Sequence, residues 1–243
     1  MKHIVALSGG KDSTAMTLLL RELHPDREFE YVYTPTGDEL PAMQIFWVEL
    51  GQILGKPLIP ITCGETLTSL IVKQNAIPNF RMRWCTRMLK LEPFIAYALS
   101  NLPATLYVGL RADEDLRDGA VYGKVEGITQ SYPLQDNGFT LAKVWDILGR
   151  YGIEIPERTD CALCFFQRLA EWWRLWAFNR DRFNLGVALE KLTGHTFRTP
   201  GRDTWPVSLE DLGKRFEAGD IPKGAAQIQL ISDRPQMCRA CSL

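Results

Sequence analysis

Apolar positions along the first 110 residues alternate between two periods. His3-Ile-Val-Ala-Leu7 is a short β-favouring run, Ser8-Gly9-Gly10 interrupts it, and Ala15, Met16, Leu18, Leu19 and Leu20 then recur at helical spacing. The pattern predicts a strand, a tight turn and a helix. It repeats with Phe29 to Thr34, which ends at Pro35-Thr36-Gly37-Asp38 and precedes a helical run containing Ile45, Phe46, Val48, Leu50 and Leu54. Lys56 to Thr62 predicts a third strand, the text around 86–100 a helix, and Thr105 to Leu110 a fourth strand. Strands alternating with helices predict an α/β fold, a doubly wound parallel sheet with right-handed crossovers on both faces. Ligands of such sheets sit beyond the carboxyl ends of the strands.

After about residue 140 the text becomes rich in Trp and Arg at helical spacing: Trp145, Trp172, Trp173, Trp176, Phe178 and Phe183. The expected organisation is a first domain over 1–135 and a smaller helical, cysteine-containing C-terminal lobe over 136–243. The Gly/Pro-rich segment 194–206 and the tail 219–243 read as loops over that lobe. Neither repeats nor low-complexity tracts are visible.

Composition narrows the class. The 243 residues are 46% hydrophobic and 23% charged, which supports a substantial core and excludes collagen, coiled coil and a disordered chain. Lys+Arg 28 against Asp+Glu 29 leaves a net charge of −1, so attraction to nucleic acid would have to come from a local basic face. No apolar run approaches the roughly 20 residues that cross a bilayer, and the opening reaches Gly9 too soon for a signal sequence. A cytoplasmic protein with no membrane partner is expected. Six cysteines in such a chain favour metal binding or catalysis over disulfides, and two Cys-x-x-Cys pairs, Cys161/Cys164 and Cys238/Cys241, sharpen that preference. Cys63 reads as a small core residue. His3, His24, His195 and Met237 form no recognisable ligand set.

Ser8-Gly9-Gly10-Lys11-Asp12-Ser13 lies between the first strand and the first helix. Glycines there permit positive φ and close backbone approach, and the helix start offers unpaired N–H groups, so the turn reads as an anion cradle. An ordinary helix start capped by Ser8 or Asp12 is the plainer alternative. The spacing is not that of a Walker A loop. The segment resembles the pyrophosphate (PP) loop, Ser-Gly-Gly-x-Asp-Ser, of the ATP pyrophosphatases of the adenine nucleotide alpha-hydrolase superfamily. The resemblance implies a Rossmann-like (HUP-type) sheet and a loop that grips the β- and γ-phosphates of ATP while its α-phosphate is attacked. Ser8, Gly9, Gly10, Asp12 and Ser13 would then bind pyrophosphate, and Lys11 would neutralise developing charge.

Three further segments resemble the phosphoadenosine phosphosulfate (PAPS) reductase-like branch of that superfamily: Thr36-Gly37-Asp38-Glu39-Leu40-Pro41, Arg83 to Pro93, and Gly109 to Arg117. Thr36, Gly37 and Asp38 stand at a strand end, where backbone groups could read an adenine edge and a carboxylate could take a ribose hydroxyl or Mg²⁺. A solvated turn is the alternative for Asp38 and Glu39. Gly109 and Arg111 belong to the implied nucleotide site, with Lys11, Asp12, Ser13 and Arg111 its catalytic set. Arg83, Arg87, Lys90 and Arg117 would add positive charge around a triphosphate.

The same branch implies cluster ligands. Aligned on Pro93, Cys85 takes the first place of a Cys-Cys pair and Thr86 the second, while Cys161 and Cys164 supply the distal pair. Three thiolates around a [4Fe–4S] cluster leave one iron open, unless Cys238 or Cys241 fills it. The alternatives are a Zn²⁺ site of Cys161, Cys164, Cys238 and Cys241, and a redox role for the last two. The resemblance implies an ATP pyrophosphatase that adenylates a substrate and supports sulfur transfer, with a sulfur donor such as a cysteine desulfurase. It is similar to the ATPase–sulfurtransferase component of DNA phosphorothioation systems or phage-type relatives. DNA or another nucleic acid would then dock on Arg168, Arg174, Arg180 and Arg182, although Trp172, Trp173 and Trp176 at helical spacing read more readily as core. An adenylyl sulfate reductase, a non-catalytic ATP-binding subunit and a homo-oligomer remain open.

Overall fold

The computed structural model describes residues 1–114 and 125–225. Five strands form one parallel sheet in the order β3-β2-β1-β4-β5: β1 (Lys2–Ala6), β2 (Glu30–Tyr33), β3 (Ile59–Pro60), β4 (Ala104–Tyr107) and β5 (Ile128–Ser131). This is the doubly wound, Rossmann-like α/β arrangement the alternating pattern predicts. The strand order reverses between β1 and β4, and the cleft at their carboxyl ends is the natural ligand position.

The expected third strand shrinks to two residues. Pro57 and Pro60 lack donors for a ladder, and the strand is tolerated because it stands at an edge of the sheet. β5 occupies the other edge and escapes the apolar pattern, since Ile128-Thr-Gln-Ser carries a single aliphatic residue. Alternate residues of the central strands feed opposite faces. Val5 and Tyr31 join a core with α1 (Lys11–Leu23) and α2 (Pro41–Leu54). Ile4, Val32 and Leu106 meet Phe94 and Ala98 of α5 (Glu92–Leu99).

The chain reaches α5 through α3 (Leu67–Gln74), a single helical turn α4 (Trp84–Thr86) and a π-helical turn over Arg87–Leu91. After β5 come α6 (Pro133–Asp136) and α7 (Leu141–Arg150). Val144, Ile147 and Leu148 form an i, i+3, i+4 stripe that buries α7 against α1. Thus a helix beyond the expected division at 135/136 shares the core of the sheet domain, which continues to Ile153.

The helical region has its own core. α8 (Leu169–Phe178), α9 (Arg180–Thr193) and α10 (Leu209–Glu217) pack around Trp172, Leu175, Phe183, Leu189 and Phe216. Leu67, Leu70 and Ile71 of α3 join that same cluster, so the lobe is built from both halves of the chain. Trp172 is fully buried, in keeping with the core reading of the tryptophans.

Candidate active site

The Gly-rich turn leaves β1 and enters α1 as the sequence predicts. Gly9 has φ +80°, and a Cβ there would lie 1.9 Å from Met43 Cε and 2.8 Å from Trp47 Nε1, so only glycine fits. Gly10 is the N-cap of α1, and no side chain caps the helix. The plainer alternative, a start capped by Ser8 or Asp12, is therefore not what the fold adopts. Ser8 Oγ instead accepts from Gly10 N–H at 3.3 Å and meets Ser13 Oγ at 3.0 Å, and Ser13 Oγ also donates to Gly10 O at 3.1 Å. The two hydroxyls tie the turn to the start of α1, and a helix start of this kind attracts anions.

Gly109, at the carboxyl end of β4, presses against this turn from across the switch point. A Cβ on it would come within 3.1 Å of Ser13 Cα and 3.2 Å of Ser13 N. Arg111 follows. Its guanidinium is 5% exposed and faces three carboxylates: Asp12 at 3.1 Å, Asp113 at 2.8 Å and Glu114 at 3.6 Å. Burial works against its charge, but Asp12, Asp113 and Glu114 outweigh burial and hold the group firmly protonated. Asp12 also takes Lys11 Nζ at 3.0 Å, so one carboxylate bridges two buried cations beside the turn.

The segment after β2 is organised by its own carboxylates. Glu39 accepts from Thr36 N–H at 2.7 Å and Thr36 Oγ at 2.6 Å. Asp38, 3% exposed, accepts from Thr68 N–H at 2.8 Å and Thr68 Oγ at 2.7 Å near the start of α3, and faces Arg182 of α9 at 3.3 Å. Neither carboxylate is the solvated turn residue of the plainer alternative. Gly37 has φ +76°, and a Cβ on it would strike Thr66 at 2.5 Å.

The remaining expected cations are dispersed. Arg83 lies over the Phe166 ring at 5.3 Å and exposed Arg87 faces Glu92 at 3.7 Å, while Arg117 lies outside the described residues. Lys90 instead accompanies thiols, its charge favouring the thiolates of Cys85 and Cys161.

Those thiols converge although 76 residues separate Cys85 from Cys161 in sequence (161 minus 85). Burial and the neighbouring Cys164 push the Cys85 thiol up. The Cys161 thiol hydrogen-bonds to Cys164, which raises Cys161 and lowers Cys164. All three are free cysteines. Cys238 and Cys241 lie outside the described residues. Among those described, no group of three or more His, Cys, Asp and Glu is placed to hold a single metal ion. Cys63 is exposed, not the core residue the sequence predicts, because the loop that follows β3 carries it to the surface.

The cysteine turn closes over the phosphate turn. Thr159 Oγ stands 3.9 Å from the Cβ position of Gly10, and Ala162 N–H donates to Asp38 O at 2.7 Å. Thr159 has no sequence signal of its own. Its proximity to Cys161 is the clue that would have found it.

A phosphoadenosine phosphosulfate reductase domain model matches residues 2–153. The chain belongs to this family. The matched span takes in the phosphate turn, the Thr36–Glu39 segment, Cys85 and Gly109, and stops short of Cys161. An uncharacterized protein of Methanocaldococcus jannaschii is 25% identical over 227 residues, covering 87% of this chain and 54% of that protein. The chain thus spans about half the length of that curated relative. Family membership places the chain among domains of nucleotide-using, sulfur-related chemistry. Among the described residues no helix is long and apolar enough to cross a membrane.

Arginines expected to dock nucleic acid each face a carboxylate: Arg168 with Glu171, Arg174 with Glu157, Arg180 with Glu217 and Arg182 with Asp38.

Proposed function

We propose that this protein is an ATP pyrophosphatase that adenylates an acceptor and supports delivery of sulfur to it. The observation that carries the reading is the approach of the Thr159–Cys164 turn to the Gly10 turn, which brings the glycine-rich helix start and the thiol-bearing segment together.

In this reading the N–H groups at the start of α1, with the Ser8 and Ser13 hydroxyls, hold the β- and γ-phosphates through charge-assisted bonds. Lys11 and Arg111 stand near the departing pyrophosphate, their positive charge tempered by the shared Asp12. Attack by the acceptor on the α-phosphorus displaces pyrophosphate and leaves an adenylated acceptor, a step that asks for positioning and charge stabilisation and for no protein nucleophile. A carboxylate near the phosphates would hold Mg²⁺, and Asp12, within the turn itself, is the candidate. Asp38 is committed to Thr68 and Arg182 and serves the architecture of the site.

We assign the three thiols to an iron–sulfur cluster; the zinc alternative draws on Cys238 and Cys241, which lie outside the described residues. Zinc gathers its sulfurs at about 2.3 Å from a single point, whereas a cluster spreads its thiolates over separate irons. Cys85, Cys161 and Cys164 would ligate it, with Lys90 and Arg158 offsetting thiolate charge. When bound, such a cluster supplies a site at which sulfur can be held.

Incubation of purified protein with Mg²⁺ and ATP, followed for pyrophosphate, tests the activity. Release that disappears in Ser13→Ala is expected; release that persists in Ser13→Ala overturns the assignment of the turn. A second reading, reduction of an adenylyl sulfate, draws on the Cys161–Cys164 thiol pair, and sulfite production without ATP consumption would replace the first. ATP binding without turnover would mark a nucleotide-sensing subunit.

A further inference from the structure

A cavity opens where the start of α2 meets α8, with a volume of about 300 Å³, the lower end of the range for small-molecule sites. Arg158, Arg168, Arg174, Glu157, Glu171 and Phe178 line it, and Leu40 and Leu175 provide apolar wall. We infer that this cavity binds a small organic anion with an apolar body, and that it is the acceptor's seat in the proposed reaction.

Charge comes first. Three guanidinium groups meet two carboxylates, a balance of 3 − 2 = +1, and α2 begins there with no acidic residue in its first turn. A helix start of this kind adds partial positive charge, so one further anion completes the site. Glu171 is held in its charged form. Burial raises Glu171, but Arg158 and the N–H of Arg168 more than offset it and hold the carboxyl below its usual range.

Donor capacity comes second. Arg168 gives one guanidinium nitrogen to Glu171 at 3.1 Å, while its Nε is buried and has no hydrogen-bond partner among the described residues. An unpaired buried donor is costly, and a turn of the guanidinium toward an entering oxyanion would relieve it. Shape comes third. Phe178 is 67% exposed at the cavity mouth with the Arg174 guanidinium 5.4 Å from its ring centre, a surface that accepts a flat apolar group under a cation.

Position makes the cavity relevant to chemistry. Arg158 donates through Nε and Nη2 to Cys161 O at 3.2 and 2.9 Å, so one wall is continuous with the cysteine turn. Leu40 and Pro41 continue directly from the Thr36–Glu39 segment beside the phosphate turn. An anion anchored here would hold its apolar body toward both. The role as acceptor seat rests on the function proposed above; the binding itself does not.

Titration of the full chain with phenyl phosphate, benzoate and neutral benzyl alcohol, followed by saturation-transfer NMR, tests the inference. At least one anion binds and the alcohol does not, with ATP failing to displace the anion. Arg168→Met and the cavity-filling Ala42→Leu, at an exposed position of the first turn of α2, each weaken binding about fivefold or more while ATP affinity by calorimetry is unchanged. The tighter of the two anions names the acceptor's acidic group. Equal binding of the alcohol, absence of anion binding, displacement by ATP, or wild-type affinity in both variants would overturn it. Failure of ATP to bind, with anion binding intact, would instead remove the proposed function and leave the cavity standing.

Discussion

Asp12 holds two cations at once, Lys11 at 3.0 Å and Arg111 at 3.1 Å, across 99 residues in the second case. Asp12→Asn leaves both buried cations short of a charge partner, and breaking such a bridge is expected to cost about 2–4 kcal/mol in urea unfolding together with loss of pyrophosphate release. Undiminished stability would show that the bridge carries no weight. Glu190 makes a pH prediction. Burial drives its carboxyl up to about 7, even though Leu209 N–H at 2.6 Å, Phe197 N–H at 2.9 Å and the charge of Arg198 favour the carboxylate. The folded value lies above the ordinary 4.5, so the folded state holds the proton more tightly. Its contribution is full below about pH 4.5 and lost as pH rises through about 7, a decline of order 3 kcal/mol. Glu190→Gln flattens that part of the urea-midpoint profile. An unchanged slope would exclude Glu190 as its source. At this scale the sequence exposes residue types well: Ser8, Gly9, Gly10 and Ser13 stand where their turn chemistry requires. It does not expose ion pairing. Arg111 reads as a phosphate ligand, and only the fold reveals Asp12, 99 residues away, already beside it.

The elements meet at glycines and carboxylates. Gly109→Ala would drive a methyl group against the backbone of Ser13, where no flexible side chain can yield, so α1 and the end of β4 must separate. An expected loss of about 1–3 kcal/mol by urea unfolding accompanies weaker ATP binding. If affinity holds while stability falls, the close approach matters to folding alone. Asp38 ties the segment after β2 to α3 and α9 through Thr68 and Arg182. Asp38→Ala leaves the Thr68 N–H and the Arg182 guanidinium without that acceptor, at about 2–3 kcal/mol. Helices and central strands were legible because their apolar periods are local; β5, with one aliphatic residue, and β3, limited by two prolines, were not.

Across the whole molecule, the two cores interleave the chain. α7 buries its stripe on α1 of the sheet domain, while α3 joins the helical core beside Trp172. Composition shifts near residue 140 do not register this exchange, since which surface an amphipathic helix covers is a matter of topology. The thiols converge at this scale as well. Anaerobic purification with iron, sulfide and zinc analysis is expected to find iron and sulfide that fall away in Cys85→Ser, while zinc without iron would retire the cluster.

What the amino-acid order determined by itself is short in range: the strand–glycine–helix start, the period of each buried face, the thiols available and the family likeness they carry. Tertiary structure alone decided that Asp38 caps and bridges, that Arg111 is already paired with Asp12, that Cys85 comes within electrostatic reach of Cys164, and that arginines and glutamates of the helical lobe line a cavity. Local propensity acts over a few residues, whereas charge pairing and cavity formation depend on contacts that exist only after the sheet and its helices have packed.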